Sequence, residues 1–281
     1  MSQLQRLTIS ASQICDRHIN LTSEQQHYLH RVLRLNQGDR FIAMDGQGHW
    51  WSAVLQEEET RLFALITKEI AVNRELPVKV VLIAALPKGN GFDEVVRQAV
   101  ELGVASIVPV TSDRTLLKPS SQKVDRWNRI AAEAAEQSER QFLPSVLEPV
   151  AFDLALKDCI CKHRLICVAR GTNRHLRDCL AGLDPPQPPL VRGELECDSP
   201  KQPLGRGEQE PPRPSLGRRE LELEELSIAI AIGPEGGWTD GEVKRAIEFG
   251  FEPVSLGRRI LRAVTAPIVA LSLIGAAFEK H

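Results

Sequence analysis

The 281-residue sequence has no Cys-x-x-Cys pair, no apolar run long enough for a membrane, no leader-like start and no excess of either charge. Six scattered cysteines without such a pair point to reduced thiols rather than a disulfide frame. Cys159-x-Cys161 with nearby His163 has the wrong spacing for a zinc knuckle, and no second ligand pair follows, so no metal is expected. The longest apolar stretch, Val264 to Phe278, is shorter than a membrane span and is broken by Thr265 and Ser272. The start, MSQLQRLTIS, carries neither a basic n-region nor an apolar h-region, so the expectation is a cytoplasmic protein without membrane contact. A net charge of −2 argues against a generic polyanion binder but leaves room for a local basic face. What is present, 42% hydrophobic and 26% charged residues, suits a soluble chain with a sizeable core.

The clearest boundary is internal. Nine of the eighteen prolines lie between Pro185 and Pro214. Pro189-Leu-Val-Arg-Gly-Glu194 recurs as Pro203-Leu-Gly-Arg-Gly-Glu208 and again, loosely, as Ser215-Leu-Gly-Arg-Arg-Glu220. The spacing is too irregular and too proline-rich for a solenoid. Residues 184–225 hold ten Asp/Glu against six Lys/Arg, a net of −4 that leaves the rest of the chain at +2. Residues 183–226 therefore read as a disordered insertion in a surface loop.

Residues 1–72 read as a small β-barrel of short strands (Arg6–Ser10, Arg40–Asp45, Trp50–Leu55, Leu62–Lys68) around one helix from Glu24 to Leu35. His27, His30, Arg31 and Arg34 recur at i, i+3, i+4 and i+7, a basic stripe that is either a solvated face or an RNA contact. On that helical spacing Tyr28, Val32 and Leu35 turn toward the barrel. Residues 73–281 change period. Val78–Ala84, apolar at every position but Lys79, is typical of a strand buried on both faces. Helices and strands then alternate: Phe92–Leu102, Ser106–Val110, Val124–Ser138, Leu165–Val168, Ser227–Ile232, Asp240–Phe249, Pro253–Leu256 and a last helix. The pattern predicts a parallel sheet with helices on both faces. The last helix is apolar around nearly its whole circumference, which requires cover by its own domain, by a partner subunit, or by both.

Ser227–Ile232 runs straight into Gly233-Pro234-Glu235-Gly236-Gly237-Trp238 and a helix with the Thr239/Glu242 capping box. In open α/β sheets ligands sit beyond the carboxyl ends of strands, and glycines let backbone groups approach a ligand closely. A second loop, Ser255-Leu256-Gly257-Arg258-Arg259-Ile260-Leu261-Arg262, follows the next strand. Two such loops on adjacent strands make a pocket.

These loops, with Thr265-Ala266, Glu133-Ala-Ala-Glu-Gln-Ser138, Arg140, Lys88-Gly89, Glu101-Leu-Gly103 and Thr111-Ser-Asp-Arg-Thr-Leu-Leu-Lys118, resemble the RsmE family, which methylates uridine N3 in small-subunit (16S) ribosomal RNA. The resemblance implies an α/β fold: an N-terminal PUA-like barrel, then a SPOUT parallel sheet with a trefoil knot, working as a homodimer on the small ribosomal subunit. It further implies S-adenosylmethionine bound by Ile232, Gly233, Pro234, Glu235, Gly236, Gly237, Leu256, Gly257, Ile260, Leu261 and Arg262. Arg262 and Arg114 are then the candidate catalytic donors, and His27, His30, Arg31 and Arg34 are assigned to RNA. Glu235 has two readings, an answer to the cofactor's sulfonium or an ordinary acid near a helix N-terminus. The sequence departs from the family once: Leu261-Arg-Ala-Val-Thr-Ala266 has Val264 where the pattern carries Glu. That departure keeps a weakly catalytic RNA-binding or ribosome-assembly protein as an alternative, beside a SPOUT enzyme acting on another RNA position.

Overall fold

The strand Ser227–Ile232 stands near the middle of an eight-stranded sheet. The computed structural model describes residues 4–58, 61–72, 74–115, 121–183 and 226–279. The proline-rich insertion expected at 183–226 thus lies almost wholly outside the described residues.

The first sheet holds β1 (Arg6–Thr8), β2 (Ile14–Cys15), β3 (His18–Asn20), β4 (Arg40–Met44), β5 (Trp50–Glu58) and β6 (Arg61–Ile70), in the order β1-β4-β5-β6-β3-β2. Its edge strands β1 and β2 do not pair with each other among the described residues, so the expected barrel is an unclosed sheet. It wraps one core all the same: Leu7, Ile19, Phe41, Leu55 and Ala64, from five strands, pack in one cluster with Leu29. The β2–β3 hairpin was not expected; Asp16 turns it with φ 55°, a role usually signalled by glycine.

Helix α1 (Ser23–His27), opened by a Thr22/Gln25 capping box, gives way to a π-helical turn at Tyr28–Val32, where Leu33 N–H reaches Tyr28 O at 2.9 Å. The wider turn rotates the inward stripe by one residue. Leu29 is fully buried and Leu33 half-buried, whereas Tyr28 and Val32, expected inside, face out.

The second sheet comprises β7 (Lys79–Ala85), β8 (Ser106–Thr111), β9 (Ser145–Val146), β10 (Val150–Ala151), β11 (His163–Cys167), β12 (Arg174–His175), β13 (Ser227–Ile232) and β14 (Glu252–Ser255). All its pairings are parallel, in the order β10-β8-β7-β13-β11-β14-β12 with β9 on β8. Period-two alternation splits the core between its faces. Ile228, Ile230 and Ile232 join one cluster with α2 (Gly91–Glu101), α3 (Ser121–Gln137), α5 (Leu176–Leu180) and α7 (Thr265–Phe278). Ala229 and Ala231 face the other cluster, with α4 (Phe152–Lys157) and α6 (Asp240–Glu248). Small residues on that face leave room for the Trp238–Phe152 stack, 4.1 Å between ring centroids.

Helix α7 is buried along Pro267, Ala270, Leu271, Ile274, Gly275 and Phe278 only. Ile268, Val269 and Leu273 are half-buried, and Ala276 and Ala277 exposed, so the chain's own packing covers one face, not the whole circumference.

Glu75 joins the segment between the sheets to the end of α3. Its carboxylate accepts from Arg140 Nε and Nη2 and from the Gln141 and Phe142 backbone at 2.6–3.2 Å. Buried Arg140 also donates to the carbonyls of Val100 and Val104 at 2.9 and 3.1 Å, so its donors are matched, as burial of a charge requires.

Candidate functional site

Both glycine-bearing loops emerge at the carboxyl edge of the second sheet, but not from neighbouring strands. β11 lies between β13 and β14. The expectation of adjacency fails because parallel strands need not pair in chain order, and nothing local in the sequence encodes that order.

The loop after β13 leans toward β7 and β8. Gly237 N–H closes a turn on Pro234 O at 2.8 Å, with Gly237 at φ 68°. The Glu235 carboxylate accepts the Lys88 N–H at 2.9 Å from the loop after β7. From the loop after β8, Arg114 donates through Nη1 to Gly236 O and, at 3.3 Å, to Trp238 O. Arg114 thereby braces the loop. A Cβ on Gly236 would meet Arg114 Cδ at 3.0 Å, while one on Gly233 would meet the backbone of Gly237 and Trp238 at 3.2–3.3 Å.

Beneath the loop, fully buried Glu242 accepts the N–H groups of Asp113 at 2.9 Å and Thr239 at 2.7 Å. This one carboxylate both completes the capping box and ties α6 to the β8 loop.

The loop after β14 is different. Ser255 Oγ accepts Gly257 N–H at 3.1 Å, and Gly257 takes φ 117°. Beyond it Arg258, Arg259, Ile260 and Arg262 are exposed and Leu256 and Leu261 half-buried. Arg262 O accepts the N–H groups of Thr265 and Ala266, both at 2.9 Å, at the start of α7. Its guanidinium has no hydrogen-bond or ion-pair partner among the described residues. Val264 is half-buried and fills the notch left by Gly91: a Cβ there would lie 2.9 Å from Val264 Cγ1.

A cleft of about 410 Å³ opens at the carboxyl ends of β11 and β14, lined by Ala169, Gly171, Asn173, His175, Ser255, Gly257 and Arg258. Of the candidate cofactor residues, Gly257 alone lines it; the Gly233–Gly237 loop and Ile260–Arg262 stand outside its walls. The Ala169–Asn173 loop, with Gly171 at φ 100°, was missed by sequence reasoning. Its signal was there, a glycine and an asparagine directly after a strand. Among the described residues no three His, Cys, Asp or Glu side chains gather as a metal site, and no helix is long and apolar enough to cross a membrane.

On the first sheet His27, His30, Arg31 and Arg34 are all exposed, but the π-helical turn and Arg34, at φ 57°, break the regular stripe. His30 Nδ1 lies 3.1 Å from Leu35 O. Partial burial of the Tyr28 ring, then Glu136 and Glu133 of α3, raise its pKa. Burial, then Glu133, pushes the Glu136 carboxyl up to about 7 against the pull of Arg6.

An RNA methyltransferase domain model matches residues 74–187 and 208–275, and an RNA methyltransferase PUA domain model matches 21–68. Ribosomal RNA small subunit methyltransferase E of Synechocystis is 40% identical over 98% of this chain and 78% of that protein. The Bacillus subtilis protein of the same name is 30% identical over 91% of this chain and 88% of its own. A solved structure of the Neisseria gonorrhoeae methyltransferase E bound to S-adenosylmethionine is similar with a TM-score of 0.76, 26% identity and 98% coverage of both chains. A Legionella pneumophila putative methyltransferase in complex with the same cofactor gives 0.75 and 27%, again covering 98% of each. With a family model spanning most of the chain and a relative at 40% identity along nearly all of it, this chain belongs to the RsmE family of RNA methyltransferases.

Proposed function

We propose that the chain transfers the methyl group of S-adenosylmethionine to N3 of a uridine in the 16S ribosomal RNA of the small subunit, as a homodimer in the cytoplasm. The observation that carries this reading is the trio of loops at the carboxyl edge of β13, β11 and β14 in a chain of this family. They suit such a ligand: Gly233, Gly236, Gly237 and Gly257 carry no side chain at the sheet edge, and the cleft of about 410 Å³ beside Gly257 has the size of a small-molecule site. The division at 1–72 and 73–281 makes the first unit the RNA-binding one and the second the knotted transferase. The insertion of β13 between β7 and β11 supports a threaded chain, and the half-covered outer face of α7 supports the dimer.

When bound, the cofactor supplies an electrophilic methyl carbon on a sulfonium. Residues of the 233–237 and 256–262 loops, including Ile232, Pro234, Leu256, Ile260 and Leu261, orient that donor and exclude water. Neutral uridine N3 carries a proton, which passes to solvent water as the methyl carbon leaves the sulfonium for N3, so the negative charge shared with O2 and O4 must be stabilised as it departs. Val264 supplies no base. The unpartnered guanidinium of Arg262 is the leading donor to that charge. Arg114, already engaged by two carbonyls, acts chiefly by holding the Gly236 loop, and Glu235 does the same through Lys88. His27, His30, Arg31 and Arg34 contact RNA phosphates.

The test incubates the protein with labelled cofactor and small subunits lacking the modification, followed by nucleoside mass spectrometry. Label on uridine N3 is expected; label on another base or atom overturns the assignment. Replacing both Arg31 and Arg34 with Ala in this system should lower the salt dependence of RNA binding by about one to two counterions. Val264 favours one second reading, an RNA-binding assembly factor. Cofactor binding without transfer would select it.

A further inference from the structure

The cleft between the β11 and β14 loops has one strongly polar wall. His175, the last residue of β12, accepts the backbone N–H of Arg177 on Nδ1 at 3.2 Å. An N–H can only donate, so Nδ1 carries no proton and the neutral ring holds its proton on Nε2. That nitrogen faces Gly257: a Cβ built there would lie 3.9 Å from it. Nε2 has no partner among the described residues, and His175 and Gly257 both line the cleft.

Arg258 lines the same cleft and is likewise unpaired among the described residues. No Asp or Glu is among the lining residues. The one carboxylate on β14, Glu252, lies 3.3 Å from Arg174. Asn173 is also committed, its Nδ2 donating to Arg170 O at 3.2 Å. Two unengaged donors, one of them cationic, therefore line one small cleft whose described lining residues include no anion. Such a pairing selects a carboxylate, which accepts charge-assisted hydrogen bonds from both.

We propose that His175 Nε2–H and the Arg258 guanidinium bind the carboxylate of the amino-acid portion of the methyl donor. The inference rests on the reading of the chain as an S-adenosylmethionine-dependent transferase, and it names the residues that distinguish the whole donor from the same nucleoside without its carboxylate. Arg258 lies inside the second loop read from the sequence without being one of its expected cofactor residues, and His175 lies some eighty positions earlier.

The experiment compares, by calorimetry on the full chain, S-adenosylmethionine with decarboxylated S-adenosylmethionine, which lacks only that group. Wild type should prefer the intact donor by about tenfold or more, as hydrogen bonds to a charged group allow. Arg258→Ala should remove most of that preference while binding the decarboxylated ligand as wild type does. His175→Asn should do the same: asparagine keeps an acceptor for the Arg177 N–H, so the cap survives, but it lacks the reach of Nε2. Variants that weaken both ligands equally, or neither, overturn the inference. If wild type binds the two ligands equally well, the carboxylate is not read and the inference falls while the transferase reading stands. Wild type binding neither ligand overturns the transferase reading, and this inference with it.

Discussion

The loops after β13 and β14 share a composition rich in glycine and a place at the same sheet edge, yet they are held in opposite ways. The first is fixed from the loops after β7 and β8, by Lys88 N–H on Glu235 and by Arg114 on Gly236 and Trp238, with the Trp238–Phe152 stack and buried Glu242 below it. The second has only local bonds among the described residues, between Ser255 Oγ and the Gly257 backbone and from Thr265 and Ala266 to Arg262 O, and carries four exposed side chains at Arg258, Arg259, Ile260 and Arg262. A glycine-rich loop is therefore not mobile by composition. Whether it moves depends on what reaches it from elsewhere, and local stability follows from those contacts. The first loop is a preformed wall; the second retains the freedom to settle on a ligand.

The largest effect expected from this contrast lies on the free loop. Arg262→Ala removes a guanidinium without a partner among the described residues, so methyl transfer should slow about a hundredfold with cofactor affinity little changed. Single-turnover rates within threefold of wild type would remove Arg262 from the chemistry. Next comes Gly233→Ala in the braced loop, whose Cβ would press on backbone at 3.2–3.3 Å that cannot give. Denaturant unfolding should show a loss of about 1–3 kcal/mol, against less than about 0.5 kcal/mol for Arg259→Ala on the free loop. Equal losses would erase the distinction between the loops. Arg114→Ala has the smallest effect and tests the brace itself. Amide exchange at residues 236–238 should quicken by about fivefold to tenfold, the scale of one or two lost hydrogen bonds, while residues 257–261 stay as they were. Faster exchange at both loops would mean that they move as one unit.

Local rules explain how much of this was readable. β13 was bounded correctly because a strand buried on both faces is an unbroken apolar run ending at glycine, and the start of α6 because Thr239 and Glu242 form a capping box. The β2–β3 hairpin escaped because its turn uses Asp16 in a conformation glycine normally announces. The π-helical turn escaped because residues 24–35 fit ordinary helical spacing equally well, and the true inward residue, Leu29, sits one place along. At the site, the glycine loops could be found but not the cleft. Its walls depend on β11 lying between β13 and β14, and on residues such as His175 and Gly257 meeting across that order. The partners of Arg140 and Arg114 were equally invisible, since Glu75 and Gly236 are 65 and 122 positions away.

The strand order also sets a timetable for synthesis. β7 and β8 leave the ribosome early and can pair at once, but among the described residues β11 has only β13 and β14 as neighbours, and both are translated later. Until Ser227 emerges β11 has no strand to join, and the flank of β7 that β13 will occupy stays bare. Unpaired strand edges are templates for other chains. Residues 184–225 lengthen that interval by about 2–8 s at ordinary rates of synthesis. The time that a segment between two parallel strands takes to be translated is thus borne by the nascent polypeptide, whose bare edges wait for it.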